Sequence, residues 1–501
     1  MYSPEQQRVS IPRRRITRRR YVVDVAILAS TTIVAACGST LLSPTAAPPA
    51  PSPSNQTVSV KPTTPLLAQP ARPPTATAPA TSGQLIPVTT PAPDVAGNVT
   101  TRILISASVT DQPLLDKLSE QWAKAYSNGS TIQWVSMPGA SLPQVAERLQ
   151  TMIAGGDPPD LVSLESGQTL QFCSKGAFAA LDPLIQRDHY DLSDFFEKGI
   201  QQYIWKGVTY TLPRGMSNQL IYVNVDKFKE AGLALPPADV NVASWTWSAF
   251  ADLAQKLTRR DPSGRVTQYG FMLRTGQLRG GIGQWIWANG GEFFNKDYTQ
   301  CTLNDKAAAA LQFMQDLIYK YKVSPGPAEG NAITFDDEFL TGRAAMIIAP
   351  AANVQSYRKA KFDWDYAANP RGDGPPVTTG GGQGLSIIKG IKQPATAWEV
   401  LKYIVSPESL KFMSATWYPA RKSALDYLEG LDPKLPPHRR DVARQGQEII
   451  HPDPATPLWL QIDQQIIEKE LSLVWLDKES GAEAVKKIVP QVNDFLQKNQ
   501  P

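Results

Sequence analysis

The chain has 501 residues, 42% of them hydrophobic and 19% charged, so it is long enough for two or three cores and has ordinary globular composition. No apolar run reaches the roughly 20 residues that a membrane-spanning helix needs, which excludes a polytopic membrane protein. The net charge of +4 is unevenly placed: residues 1–37 hold seven Arg, from Arg8 to Arg20, against Glu5 and Asp24, so residues 38–501 carry about −1. Nucleic-acid binders keep a basic excess in their folded part, because phosphate neutralisation supplies most non-specific affinity, and nucleic acid is therefore not expected as a partner.

Residues 1–37 read as an export signal. RRRITRRR is followed by VVDVAILASTTIVAA and then Cys37, the charged, apolar, small-residue order of a secretory leader whose apolar part is too short to span a membrane. Val34-Ala35-Ala36-Cys37 resembles the lipobox of bacterial lipoproteins, which makes Cys37 the expected lipidation site and the mature N-terminus. Thr17 to Val22 also resembles a twin-arginine signal, and the choice between the two export routes stays open. Residues 38–100 contain 14 Pro among Ala, Thr, Ser and Val, with only Lys61, Arg72 and Asp94 charged. Such a stretch cannot bury a core and reads as a disordered, semi-rigid tether. Of the two remaining cysteines, Cys173 and Cys301, the spacing allows either a disulfide or two buried thiols.

From Arg102 the pattern changes. Ile103 to Ser106 reads as a buried strand, Asp111 to Tyr126 as a helix with Leu114, Leu115, Leu118 and Trp122 on one face, and Thr131 to Val135 as a second strand. A helix over 142–153, the turn at 155–159 and a third strand over 160–164 follow. Strand, helix, strand, helix, strand predicts a parallel sheet with crossover helices, and ligands bind beyond the carboxyl ends of such strands. Those ends carry Ser106 to Asp111 and Glu165 with Ser166. Further helices are expected over 248–258, 307–321, 394–405 and 482–497, and the 401 residues from 101 to 501 are too many for one compact core.

Much chemistry is missing. The three His (His189, His438, His451) are far apart, and there is no Cys-x-x-Cys or His-Glu-x-x-His, so no metal site is expected. No Gly-x-Ser-x-Gly elbow or phosphate-cradling Gly-x-x-x-x-Gly-Lys occurs, and Gly380 to Gly384 is a lone Gly-rich run. Carboxylates such as Asp336 and Asp337, or Glu165 with a distant acid, leave a glycoside hydrolase open. No set of placed acids and bases is identifiable, however, so an enzyme is not expected and no cofactor is called for.

Several segments in order along the chain resemble one family. GGDPPDLV (155–162) and GAFAALDPLI (176–185) are similar to the first lobe of the maltose-binding-like extracellular solute-binding proteins of ATP-binding-cassette importers. TYTLPRGMSNQLIYVNVDKFKEAGL (209–233), SWTWSAFADLAQKLT (244–258), QWIWANGGEFFN (284–295), FLTGRAAMIIAP (339–350), GGGQGLSIIKG (380–390), AWEVLKYIVSPESLKFM (397–413) and YPARKSAL (418–425) continue the resemblance over essentially all of 101–501. It implies an α/β, two-lobed, periplasmic-binding-protein-like type II fold, each lobe a mostly parallel sheet flanked by helices. Lobe one is expected at 101–214 plus 378–416 and lobe two at 217–372 plus 420–501. The hinge crossings are placed near Pro213 to Ser217, Gly372 to Thr379 and Trp417 to Ala420.

The resemblance also implies a function without bond-making: a ligand touching both lobes stabilises the closed state, which permease subunits distinguish. The expected protein is a monomeric, exported solute receptor, lipid-anchored to the outer face of the cell membrane, with carbohydrate as the best substrate class. Sugars need an aromatic face plus fixed polar groups, and all twelve Trp lie within 101–501. Carried over to this sequence, the cleft positions fall on Ser108, Glu165 and Ser166 at strand ends, and on Ser217 and Asn218 at the first crossing. Gln284 and Trp285 lie before Asn289-Gly290-Gly291, Gly380 and Gly381 allow close backbone approach, and Trp417 and Tyr418 sit at the third crossing. Trp245, Trp247 and Trp287 are expected in packing roles.

One departure stands out. Sugar binders of the family often carry Gly-Pro-Trp after the strand at Met346 to Ile348, whereas Ala349-Pro350-Ala351-Ala352 follows here, so the stacking Trp is replaced by Ala352. Four other readings remain: a glycerol phosphate receptor, for which Arg214 is a candidate ligand, a polyamine receptor, a cell-tethered polysaccharide-processing enzyme, and an orphan receptor or adhesion protein that uses the two-lobed fold without a transporter.

Overall fold

A computed structural model describes residues 95–126, 128–275, 281–327, 335–430 and 434–499. The expected export signal, Cys37 and residues 38–94 of the tether lie outside these residues. Two main sheets are built from strands that we number in chain order: β1 (Thr100–Ala107), β2 (Thr131–Pro138), β3 (Leu161–Glu165), β4 (Thr211–Pro213), β5 (Ser217–Asn224), β6 (Met346–Pro350), β7 (Trp364–Ala367), β8 (Thr378–Gly381), β9 (Gln383–Ile387) and β10 (Ile450–His451).

Because side chains alternate along a strand, β1 presents Ile103 and Ile105 to one side and Leu104 to the other. Both sides are covered. Helix α1 (Gln112–Ala125) lays Leu115, Leu118 and Trp122 on the first, and helix α2 (Leu142–Ala154) lays Val145, Leu149 and Met152 on the second. Each fully buried Leu of this kind contributes about 1.5–3 kcal/mol. The start of α2 is fixed by a capping box, in which Ser141 N donates to Gln144 Oε1 at 2.8 Å. The first sheet has the order β2-β1-β3-β9-β4, with β2 and β3 parallel to β1 and β9 antiparallel to both β3 and β4.

The second sheet has the order β6-β5-β8-β10, with β7 also paired to β5. Its core is aromatic. Trp285 is 1% exposed and sits with Trp247, Phe250, Phe271 and Phe313 at ring separations of 5.5–6.2 Å. The helix Asp305–Tyr319 packs there along Gly481–Asn499 and starts at Asn304, whose side chain accepts from Lys306 N at 3.0 Å.

The α/β two-sheet layout agrees with expectation, but the sheets are mixed rather than mostly parallel. Strands β6, β7 and β8 all run antiparallel to β5. Two expected boundaries also move. The second crossing falls at Gly382, between β8 and β9, and not at Gly372 to Thr379. Gly372 and Gly374 instead stay with the second lobe, their amides both donating to Ala288 O at 3.1 and 3.0 Å. The glycines at 380 and 382 explain the shift, since a Cβ on Gly382 would lie 1.7 Å from Gly215 O and one on Gly380 2.3 Å from Ser217 O. Only residues without a side chain let the first two crossings touch. After the third crossing the helix Lys422–Gly430 packs on Pro407–Met413, so residue 420 does not open lobe two. The chain returns to the second sheet with the helix Asp441–Glu448, which packs on β5.

Cys173 and Cys301 are both buried free thiols, which decides between the two readings that spacing allowed. Burial pushes the Cys173 thiol up to about 12 and the Cys301 thiol up to about 11. Among the described residues no helix is long and apolar enough to cross a membrane, and no group of His, Cys, Asp and Glu is arranged to hold a metal ion.

Candidate functional site

A cavity of about 320 Å³ lies where the crossings meet the ends of the first-sheet strands. The loop after β1 supplies Ser106, Ser108 and Asp111, and β3 ends on Glu165. The first crossing supplies Arg214 to Ser217, the second Gly381 to Gln383, and the third Thr416 to Tyr418, with Ala352 closing the wall from the second lobe. An adjoining cavity of about 500 Å³ shares Ser108, Asp111, Ala352 and Thr416 to Tyr418 and extends towards Gln355, Lys359 and Ser414.

Each wall is held by its local chemistry. Ser108 N donates to Asp111 Oδ2 at 2.6 Å, which turns the β1 loop into the start of α1. Ala352 N donates to Ser217 Oγ at 2.9 Å, tying the second-lobe wall to the first crossing. Met216 N donates to Tyr418 O at 3.0 Å, and Arg214 N and Gly215 N both donate to Gln383 O at 2.9 and 3.1 Å, so the first crossing is bonded to each of the other two.

Arg214 is the centre of this knot. Its Nε donates to Ser163 Oγ at 2.8 Å, its Nη2 donates to Gln383 Oε1, and its guanidinium lies 4.0 Å from the centre of the Trp417 ring. It is 5% exposed, and burial lowers its pKa to about 10 against the opposing pull of Asp111.

Six of the expected site residues, Ser108, Glu165, Ser217, Gly381, Trp417 and Tyr418, line this cavity. The others do not. Trp285 is enclosed by the aromatic core of the second lobe. Gln284 bonds backbone on both sides, Nε2 donating to Val377 O at 2.7 Å and Oε1 accepting from Thr379 N at 3.0 Å. Asn218 is buried with Nδ2 donating to Ala443 O at 3.1 Å, Ser166 is buried at the start of the helix Ser166–Ser174, and Gly380 is a register partner of Asn218 inside the sheet. The reason is periodicity: Asn218 and Gly380 each neighbour a lining residue, and one step along a strand turns a side chain to the opposite face.

Sequence reasoning placed Asp111 at a ligand-facing strand end and Met216 in a crossing without selecting either as a site residue, and it passed over Gln383 and Thr416; all four line the cavity. The available signal was adjacency to a strand end or a crossing. Trp417 and Tyr418 are only 6% and 8% exposed. One face of Trp417 is already taken by Arg214, so the aromatic surface offered to a ligand is narrower than an open stacking platform.

A two-lobed α/β layout with a polar and aromatic cleft at the crossings is that of the type II periplasmic-binding-protein-like fold. The chain belongs to the bacterial extracellular solute-binding protein family, whose model matches residues 106–411, and the family's location is extracytoplasmic. A binding protein of Brucella abortus is 26% identical over 286 residues, which is 56% of this chain and 66% of that protein, just under two thirds of its length. In structure the chain is similar to a Listeria monocytogenes ABC substrate-binding protein solved with cycloalternan, with TM-score 0.68 and 21% identity over 79% of this chain and 99% of that one. It is also similar to a Mycobacterium tuberculosis protein solved with glycerophosphocholine, with TM-score 0.67 and 20% identity over 80% of this chain and 99% of that one.

Proposed function

We propose that this protein is a lipid-anchored extracytoplasmic receptor that binds a sugar or oligosaccharide in the cleft and delivers it to the permease of an ATP-binding-cassette importer, without catalysing a reaction. The observation that carries the reading is the cavity at the crossings, where Glu165, Asp111 and Ser217 offer hydroxyl partners beside Trp417 and Tyr418. A ligand held there touches both lobes, so its binding energy is realised in one relative arrangement of the lobes and biases the equilibrium towards it. The family match and the cycloalternan complex of the Listeria relative support the same class. Acylation of Cys37 would hold the folded part near the permease, with residues 38–100 as the tether.

A second reading, a receptor for a phosphate-bearing solute, is favoured by Arg214 in the wall and by the glycerophosphocholine complex of the Mycobacterium relative. The deciding experiment records melting temperature against mono- and oligosaccharides, glycerol phosphate, glycerophosphocholine and spermidine, because a ligand that binds only the folded state raises stability by mass action. A rise with a sugar class and no product formed is the expected result. A rise with phosphate compounds alone would replace sugar with the second reading, and turnover of an oligosaccharide would overturn the receptor reading.

A further inference from the structure

Resting on the receptor reading, we infer that the ligand is an acidic sugar, a polyhydroxylated molecule carrying a carboxylate, and that Arg214 holds the acid group. A charge taken out of water is normally paired, because an unpaired buried ion costs several kcal/mol. Arg214 is 5% exposed and among the described residues makes no ion pair. Its two hydrogen bonds go to neutral acceptors, the Ser163 hydroxyl and the Gln383 amide oxygen, and its face rests on Trp417. These contacts fix the plane of the guanidinium without neutralising it. No described protein acceptor meets Nη1, and the residue is part of the cavity wall. A rigid fork of uncommitted N–H donors is what a carboxylate binds with geometric specificity.

The remaining charges in the wall say what else the ligand carries. Asp111 acts on Arg214 from beyond ion-pair distance, and one of its oxygens already accepts from Ser108 N. Glu165 lines the same cavity, and Lys359 lines the adjoining one. A bare anion would meet Asp111 and Glu165 with nothing to donate. A ligand with hydroxyl groups donates to those two acids while its own acid takes Arg214. Two acids and one base in a single cavity therefore select a hydroxylated acid over a simple anion.

The test uses the exported protein and calorimetric titration with matched pairs of gluco, galacto and manno configuration. Each uronic acid is set against its neutral sugar, as mono- and oligosaccharides, with the corresponding 6-phosphates and inorganic phosphate alongside. The expected result is that the best uronate binds at least tenfold more tightly than the best neutral sugar. Arg214→Gln, verified as folded by its melting curve, should remove that difference, and Arg214→Lys should keep only part of it. Neutral sugars binding as tightly as uronates would overturn the inference and leave the receptor reading standing. Preference for 6-phosphates over uronates would overturn it in favour of a phosphate ligand, and binding of no carbohydrate would end both readings. If Arg214→Gln does not fold, the comparison of uronate with neutral sugar on the natural protein decides alone.

Discussion

The guanidinium of Arg214, in the first crossing, lies 4.0 Å from the centre of the Trp417 ring, in the third. This contact joins two segments that are far apart in sequence and gives the cleft a charged and an aromatic wall at one point. It also orients Trp417, since a cation over one ring face leaves the opposite face and the edges for a ligand.

The first prediction follows from that contact. Trp417→Ala should lower ligand affinity at least tenfold, because it removes the aromatic wall and the support of Arg214 together. Trp417→Phe, which keeps a ring, should recover most of the loss. Calorimetric titration on both variants is the check, and an Ala variant with unchanged affinity would remove Trp417 from the site.

Trp285 has the opposite expectation. It belongs to the aromatic core of the second lobe, 1% exposed. Trp285→Ala should therefore cost about 3–5 kcal/mol of stability, the usual penalty for deleting a large core aromatic. Ligand affinity of the folded fraction should stay within about twofold. Urea unfolding with a titration below the transition separates the two quantities, and a large affinity loss at unchanged stability would return Trp285 to the ligand.

Gly382→Ala should destabilise the protein by about 1–3 kcal/mol or prevent folding, because its methyl would need the space held by Gly215 O. Gly390→Ala, a glycine with no atom within 4 Å of its Cβ position and a φ of 82°, is the comparison: its cost comes from backbone strain alone. Denaturant midpoints of the two variants test this, and a Gly382→Ala protein as stable as the parent would contradict the close crossing.

Asp188 sets an acid limit on stability. Arg187 and Lys402 at 2.6 Å, with Trp398 Nε1 donating at 2.7 Å, hold its carboxyl well below the usual carboxylate range. A group whose pKa is lowered by folding stabilises above its unfolded value near 3.8 and loses that contribution as pH falls further. Asp188→Asn should therefore be less stable than the parent at pH 7, and the difference should shrink as pH drops below about 4. Melting temperatures from pH 7 to pH 2 measure it, and a constant difference across that range would refute the linkage.

How much was legible in the sequence differs by level. The βαβαβ start of the fold was readable because Ile103 to Ile105, Leu115 to Trp122 and Val145 to Met152 each show the period of their element, and periodicity is a local property. The sheet type was not, since the antiparallel pairing of β6, β7 and β8 with β5 joins segments more than a hundred residues apart. In the site, Ser217 and Gly381 were named together with Asn218 and Gly380. The side of the strand on which each stands depends on register, which only the partner strand sets.

The sequence by itself determined the class, an α/β chain in the family's order of segments that follows an Arg-rich and a Pro-rich stretch. These are carried by composition and local pattern. Only the tertiary structure decided that Trp285 is core, that the second crossing is at Gly382, and that Arg214 stands between Ser163, Gln383 and Trp417 in the cavity wall. Whether a polar or aromatic side chain meets solvent or protein is settled by which distant segments pack against it, and burial then sets its charge, its partners and its chemistry.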